Sequence, residues 1–226
     1  VRSVGVNNTV DNLVQSAWTV LTVIVNSVMA KENSFWVLYG QHDKPTFLDD
    51  ASNGAQQLQR DAALEYVKQW RVCLDIGSNI GQWTRPLARR FESVVCFEPN
   101  PNFRECFNKN IYENNVVIWP VGLSDKEHKA KQGFNSTVLQ NKEGEIDCRT
   151  LDSFGLTNVD FVKIDVDGFE IPLLNGAKET LIKNNPVINI EMKKDKRNNI
   201  AKQCASILKD LGYKFHKRTK SDEVWL

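Results

Sequence analysis

Two groups of residues in this 226-residue chain have the types and spacing to do chemistry. The first is Val72-Cys-Leu-Asp-Ile-Gly-Ser-Asn-Ile-Gly-Gln-Trp-Thr84, an apolar run that closes on Asp75 and passes into a turn from Gly77 to Gly81. It is answered by Val94-Val-Cys-Phe-Glu-Pro99, a second apolar run ending on Glu98, 21 residues after Gly77. Strand, glycine turn, helix and acid-ended strand form the layout that holds a nucleoside, with backbone N–H groups at the turn and a carboxylate for ribose hydroxyls. A pyrophosphate site needs glycines spaced G-x-G-x-x-G for close approach. Here the spacing is G-x-x-x-G, with Asn79 and Gln82 where the second and third glycines would fall. Asp75 would also repel a phosphate and attract an ammonium or a sulfonium. The competing reading is an ordinary α/β crossover whose glycines only permit tight packing.

The second group lies in Asp160-Phe-Val-Lys-Ile-Asp-Val-Asp-Gly-Phe-Glu-Ile-Pro-Leu-Leu-Asn-Gly-Ala177. In a strand, Phe161, Lys163 and Asp165 share one face. Lys163 sits inside an apolar run, where an unpaired ammonium is costly. Asp165, or Glu191 at the end of the next apolar run, could neutralise it. Asp165, Glu191, His42 and His216 are the candidates to take a proton from a reacting hydroxyl, with Asp165 the first choice and a salt bridge to Lys163 its bland alternative. Asp165, Asp167 and Glu191 could instead hold a hard divalent cation through oxygen. Asp167 as a helix cap is the preferred reading, and no metal is expected.

These residues need strands and helices in alternation. The pattern predicts a helix at 55–69, strand 72–76, helix 81–91, strand 94–98, helix 102–113 and strand 116–121. A polar stretch at 125–150 reads as a β-hairpin or surface insertion. Strand 159–165, helix 169–184, strand 187–192 and helix 198–211 follow. Such alternation implies a parallel sheet covered on both faces. The runs 213–216 and 223–226 are too close for a crossover, so they must pair antiparallel. The preceding segment, 1–54, reads as an extension: an amphipathic helix within Asn12–Ala30, a short strand Phe35–Tyr39 and a loop at 44–54. By position it is expected to cover the acceptor side of the site, with core packing or a dimer contact as equal alternatives.

The turn resembles the first motif of the Rossmann-like methyltransferases, and Glu98 resembles their ribose-binding acid. S-adenosylmethionine carries both an ammonium and a sulfonium and has no phosphate. Lys163-Ile-Asp-Val-Asp-Gly-Phe-Glu170 strongly resembles the hallmark K-I-D-V-E-G-x-E of the FkbM-type methyltransferases, with Asp167 in place of the usual glutamate. Asp75-Ile-Gly-Ser-Asn-Ile-Gly81, Glu98-Pro-Asn-Pro101, Gly122-Leu-Ser-Asp125 and Pro186-Val-Ile-Asn-Ile-Glu191 are similar to other segments of that family. The resemblance covers about residues 70–192. It implies a class I fold: a mostly parallel seven-stranded sheet with a C-terminal antiparallel hairpin and helices on both faces, spanning 55–226. It further implies that Gly77, Ser78, Asn79 and Gly81 line the methionine part of the cofactor. Asp75 would hold its amino group, directly or through water, Glu98 its ribose, and Leu123 and Ser124 its adenine. Asp165 would sit near the reactive methyl. The family precedent is O-methylation of sugars and other small natural products.

Composition is that of an ordinary globular protein: 41% hydrophobic and 25% charged residues leave enough apolar material for a core. The net charge of +1 selects no partner. Residues 193–220 are nevertheless basic, with ten Lys and Arg against Asp195 and Asp210. That could attract an anionic acceptor or a nucleic acid, although a solvated helix face is the simpler account. An RNA cap 2′-O-methyltransferase would use it, but Glu191 stands where that reaction's tetrad places a lysine. A non-catalytic RNA- or protein-binding module would have no need for both Asp75 and Glu98. Five cysteines without C-x-x-C pairing, and three histidines without metal-ligand spacing, read as reduced core thiols of a cytoplasmic protein. The polar residues of Asn12–Ala30 argue against a membrane span, and no secretory signal is expected.

Overall fold

The computed structural model describes residues 27–32, 35–40, 56–132, 139–140, 145–192 and 199–226. The predicted loop at 44–54 and most of the predicted N-terminal helix lie outside them. The end of that helix does not form: Ser27–Glu32 is a strand, β1, paired antiparallel with β2 (Phe35–Gly40) from Ser27↔Gly40 to Glu32↔Phe35. Backbone pairing with the aromatic strand overrides the helical spacing of the apolar residues, as tertiary context routinely does.

The alternation that follows is the expected one. It runs α1 (Gln57–Leu64), β3 (Val72–Ile76), α2 (Thr84–Ala88), β4 (Ser93–Phe97), α3 (Pro101–Asn110) and β5 (Val116–Trp119). The chain then makes β6 (Gly122–Leu123), β7 (His128–Gln132), β8 (Leu139–Gln140), β9 (Ile146–Arg149) and a 3₁₀ turn at Asp152–Phe154. It returns as β10 (Val159–Ile164), α4 (Glu170–Asn175), α5 (Lys178–Asn184), β11 (Val187–Glu191), α6 (Ile200–Asp210), β12 (Phe215–Thr219) and β13 (Asp222–Trp225).

Seven strands form one sheet in the order β12-β13-β11-β10-β3-β4-β5, in which β13 alone runs against the other six. The order reverses between β3 and β10, so a crevice must open beyond the carboxyl ends of those two strands. The polar stretch after β5 is more than a hairpin: β6, β9, β7 and β8 form a separate four-stranded sheet.

Period-2 alternation sorts the core. Leu74, Ile76, Phe97, Val162 and Ile164 bury on one face with Leu173, Leu174 and Leu181, while Cys73, Cys96 and Phe161 bury on the other with Trp83, Leu87 and Phe107. Asp75 and Lys163 share the second face with Cys73 and Phe161, which is how two charges come to lie inside the sheet's cover.

Two of the expected helices differ from expectation for identifiable reasons, beyond the shorter first one, Gln57–Leu64 in place of 55–69. Helix 81–91 is shortened to Thr84–Ala88 because the turn uses residues 77–83. Helix 169–184 breaks at Gly176, whose missing Cβ would lie 1.9 Å from the Ser124 carbonyl oxygen. The second half restarts because the Asp152 carboxylate accepts hydrogen bonds from the N–H groups of Glu179 (3.1 Å) and Thr180 (2.8 Å). By contrast α3 starts locally: the Asn100 side chain accepts from Asn102 N, and Pro101 occupies the first helical position. Among the described residues no helix is long and apolar enough to cross a membrane. All five cysteines are buried free thiols.

Candidate active site

The crevice is built by the turn that leaves β3. Gly77 has φ +75°, and a Cβ there would lie 1.8 Å from the Asp165 carbonyl oxygen. Only glycine lets the turn close against the end of β10. The donors of the turn are then consumed one by one. Gly77 N and Ser78 N both donate to the Phe97 carbonyl (2.9 and 3.2 Å), Asn79 N to Glu98 Oε2 (2.9 Å), Ile80 N to Asn79 Oδ1 (2.8 Å), and Gly81 N to the Ser78 carbonyl (2.9 Å). No N–H from Gly77 to Gly81 is left to cradle a phosphate. The expectation of backbone donors at the turn is corrected, and the exclusion of a pyrophosphate ligand gains a direct cause.

Glu98 is fully buried at the end of β4. Besides Asn79 N, its carboxylate accepts Asn100 N at 2.8 Å, while Arg104 donates to the carbonyls of Glu98 (2.9 Å) and Pro99 (2.7 Å). Burial pushes its carboxyl up to about 7 against those two backbone hydrogen bonds. Gly77 and Glu98 line a cleft whose walls include the apolar Phe97, Leu123, Val166 and Phe169. Ser124, expected beside Leu123, is buried instead, and its hydroxyl donates to Asp125 Oδ1 (3.1 Å).

Behind the turn lies a buried charge pair that the sequence reading only half foresaw. Lys163 is opposite Asp75 in the β10/β3 register and only 3% exposed. Its ammonium donates to the Gly77 carbonyl at 2.8 Å and lies 3.4 Å from Asp75 Oδ1 and 3.8 Å from Asp165 Oδ2. Burial alone would lower this lysine, but Asp75 and then Asp165 outweigh it and hold the ammonium above its usual range. Asp75 is fully buried, and its Oδ2 accepts the Thr84 hydroxyl at 2.6 Å. The sequence offered Asp165 or Glu191 as partner; the nearer acid is Asp75. Thr84 carried no signal of its own.

On the other side of Gly77, the carboxyl ends of β10 and β11 bring the expected pair together. Carboxylate oxygens of Asp165, Asp167 and Glu191 lie within 4.8 Å of one another, and all three residues are partly exposed. A hard cation could bridge oxygens so spaced. The Ser221 hydroxyl donates to Glu191 Oε1 (3.3 Å) and Asp222 Oδ1 (3.1 Å), and Asn189 donates to Asp222 Oδ2 (2.8 Å). Burial pushes the Asp222 carboxyl up despite those bonds. Asp167 has φ +48° and does not supply the N-cap of α4, which begins after Phe169. His42 lies outside the described residues, and exposed His216 packs edge-on against Tyr66 at 4.4 Å.

The residues present fit a nucleoside bearing a cation. Glu98 offers buried acceptor oxygens at the cleft, the walls beyond it are apolar, and the Ser78 hydroxyl is buried with no hydrogen-bond partner. A seven-stranded sheet of this order, with an acid-ended β4 beside a glycine turn, defines the class I S-adenosylmethionine-dependent methyltransferases. Residues 75–215 match the model of the methyltransferase FkbM domain, and the chain belongs to that family. It is an S-adenosylmethionine-dependent methyltransferase domain.

Solved structures agree on the fold. Methyltransferase FkbM of Methylobacillus flagellatus KT is 19% identical with a TM-score of 0.51, covering 68% of this chain and 42% of its own. The chain thus spans less than half of that relative. The precorrin-8w decarboxylase of Methanobacterium thermoautotrophicum is 14% identical with a TM-score of 0.51, covering 87% and 97%. No curated protein matches the chain.

Proposed function

We propose that this chain methylates a hydroxyl of a sugar or other small, neutral metabolite. The observation that carries the reading is the gathering of Asp165 and Glu191, with Asp167, at strand ends next to the Gly77 turn. S-adenosylmethionine, when bound, supplies an electrophilic methyl on a sulfonium. Gly77, Ser78, Asn79 and Gly81 shape the methionine end of its site, Glu98 accepts from the ribose hydroxyls, and Leu123 flanks the base, with Ser124 supporting that wall. Asp75 contributes through Lys163 and Thr84, since its own carboxylate is enclosed.

A hydroxyl acceptor must lose its proton as the new C–O bond forms, and Asp165 is the carboxylate best placed to accept it. Glu191 orients the acceptor or serves as the second acid. Much of the acceleration comes from alignment, because the transfer is an in-line displacement. Three carboxylates gathered at the strand ends favour a neutral polyol over an anionic acceptor. The basic C-terminal region does not reverse that balance. Lys217 lies 3.6 Å from Glu65, and Arg218 is paired with Glu223, so part of the surplus is already neutralised.

Transfer of labelled methyl from S-adenosylmethionine into a small-molecule extract tests the reading. Wild type should label a neutral hydroxyl compound. Asp165→Asn should slow the transfer by roughly a hundredfold or more while leaving S-adenosylhomocysteine affinity within a factor of about three. Label recovered in RNA, or an Asp165→Asn variant as fast as wild type, would overturn it.

A further inference from the structure

The glycine turn is held from below by Glu98, through Asn79 N, and by Lys163, through the Gly77 carbonyl. It is also held from above, by a residue with no place in the motif. Asn110, the last residue of α3, is 1% exposed. Its Oδ1 accepts the Trp36 backbone N–H at 2.6 Å, and its Nδ2 donates to the Trp36 carbonyl (3.0 Å) and to the Ile80 carbonyl (2.8 Å). That network admits only one orientation of the amide, since an N–H must meet the oxygen and carbonyls must meet the nitrogen. One side chain therefore stitches β2 to the turn, using the hydrogen bonds a neighbouring strand would have supplied.

The packing follows the same line. Ile80, between the two ends of the turn, is 4% exposed and buried in a small cluster with Phe35 and Val37 of β2 and Cys106 of α3. The Arg85 guanidinium lies 4.8 Å from the Phe35 ring centre, and the Lys109 ammonium 4.7 Å from that of Trp36. Through Phe35, Trp36 and Val37, β2 thus contacts the glycine turn and the helix beside it.

Building on the methyltransferase reading, we infer that Asn110 is a positioning residue for the cofactor turn, and that the hairpin acts through it to set cofactor affinity. Hairpin docking and cofactor binding are then coupled, and the coupling is reciprocal by linkage. Whatever fixes the Ile80 carbonyl fixes the peptide planes of Asn79 to Gly81. Whatever fixes those planes also favours the docked strand.

The full-length chain is titrated with S-adenosylhomocysteine by calorimetry, and amide hydrogen exchange across residues 35–37 is followed with and without the ligand. Wild type should bind, and the ligand should slow exchange at Trp36 several-fold. Asn110→Ala and, separately, Phe35→Ser should each weaken affinity tenfold or more and abolish the ligand-dependent protection. Phe35 lies outside the main sheet's core, so that variant serves even if Asn110→Ala fails to fold. A purely structural role would lower the melting temperature and leave both the affinity and the protection unchanged. That result, or wild-type affinity in either folded variant, overturns the inference. Failure of wild type to bind the ligand would instead overturn the cofactor assignment on which it rests.

Discussion

The two halves of the site differ in how their acids are held. On the donor half, Asp75 and Glu98 are fully buried, and every carboxylate lies among fixed donors: Thr84 and Lys163 for one, the N–H groups of Asn79 and Asn100 for the other. On the acceptor half, Asp165, Asp167 and Glu191 are partly exposed and crowd one another. Burial with full partnership costs desolvation and returns a fixed geometry. Partial exposure leaves these carboxylates within reach of solvent. On the function proposed above, the contrast fits a donor molecule held in a fixed site and an acceptor met at a more open one.

The largest effect should come from the buried pair. Lys163→Met strands Asp75 as an uncompensated charge, which costs about 3–5 kcal/mol, or on the order of 10 °C in melting temperature. Asp75→Asn in the same chain should return part of that loss, as coupled sites do. If Lys163→Met melts like wild type, the donor half is not held by this pair.

A smaller effect concerns Glu98. Its carboxyl, raised to about 7 by burial, is more protonated in the folded chain than in the unfolded one below that pH. Its contribution to stability is therefore full at low pH and lost as pH rises through about 7. Ligand binding runs the other way, because ribose hydroxyls donate to the ionised form. S-adenosylhomocysteine should bind about tenfold more weakly at pH 6 than at pH 8, and the pH dependence should vanish in Glu98→Gln. A flat profile in wild type would mean that Glu98 is not the titrating group.

The smallest effect is expected at Asp167. Asparagine tolerates its left-handed backbone equally well, so Asp167→Asn should shift stability by less than about 0.5 kcal/mol in thermal unfolding. A large loss there would erase the contrast between the halves.

What the sequence disclosed follows the same division. Strand–helix alternation, the G-x-x-x-G turn and the acid at Glu98 are local patterns, and each appeared where the spacing put it. The parallel sheet and its closing antiparallel pair followed from alternation and connection lengths, and the seven-stranded class I arrangement from the family resemblance. What stayed hidden depends on lateral order. Lys163 and Asp75 are 88 positions apart and meet only because β10 lies beside β3. Asn110 looks like any polar helix end until β2 folds over it. Ser27–Ala30 carried helical spacing, and only the antiparallel partner made it a strand.

The burial of all five thiols gives this chain an internal set of clocks. Burial pushes Cys106 and Cys148 up to about 11 and Cys204 up to about 12, and drives Cys73 and Cys96 well above the ordinary thiol range. An alkylating reagent can therefore reach each one only when its surroundings open. The cysteines are spread over four packing units: Cys106 under the hairpin, Cys148 in the small sheet, Cys204 on one face of the main sheet, and Cys73 with Cys96 on the other. Their separate labelling rates would time the opening of each layer of the molecule without a single engineered probe.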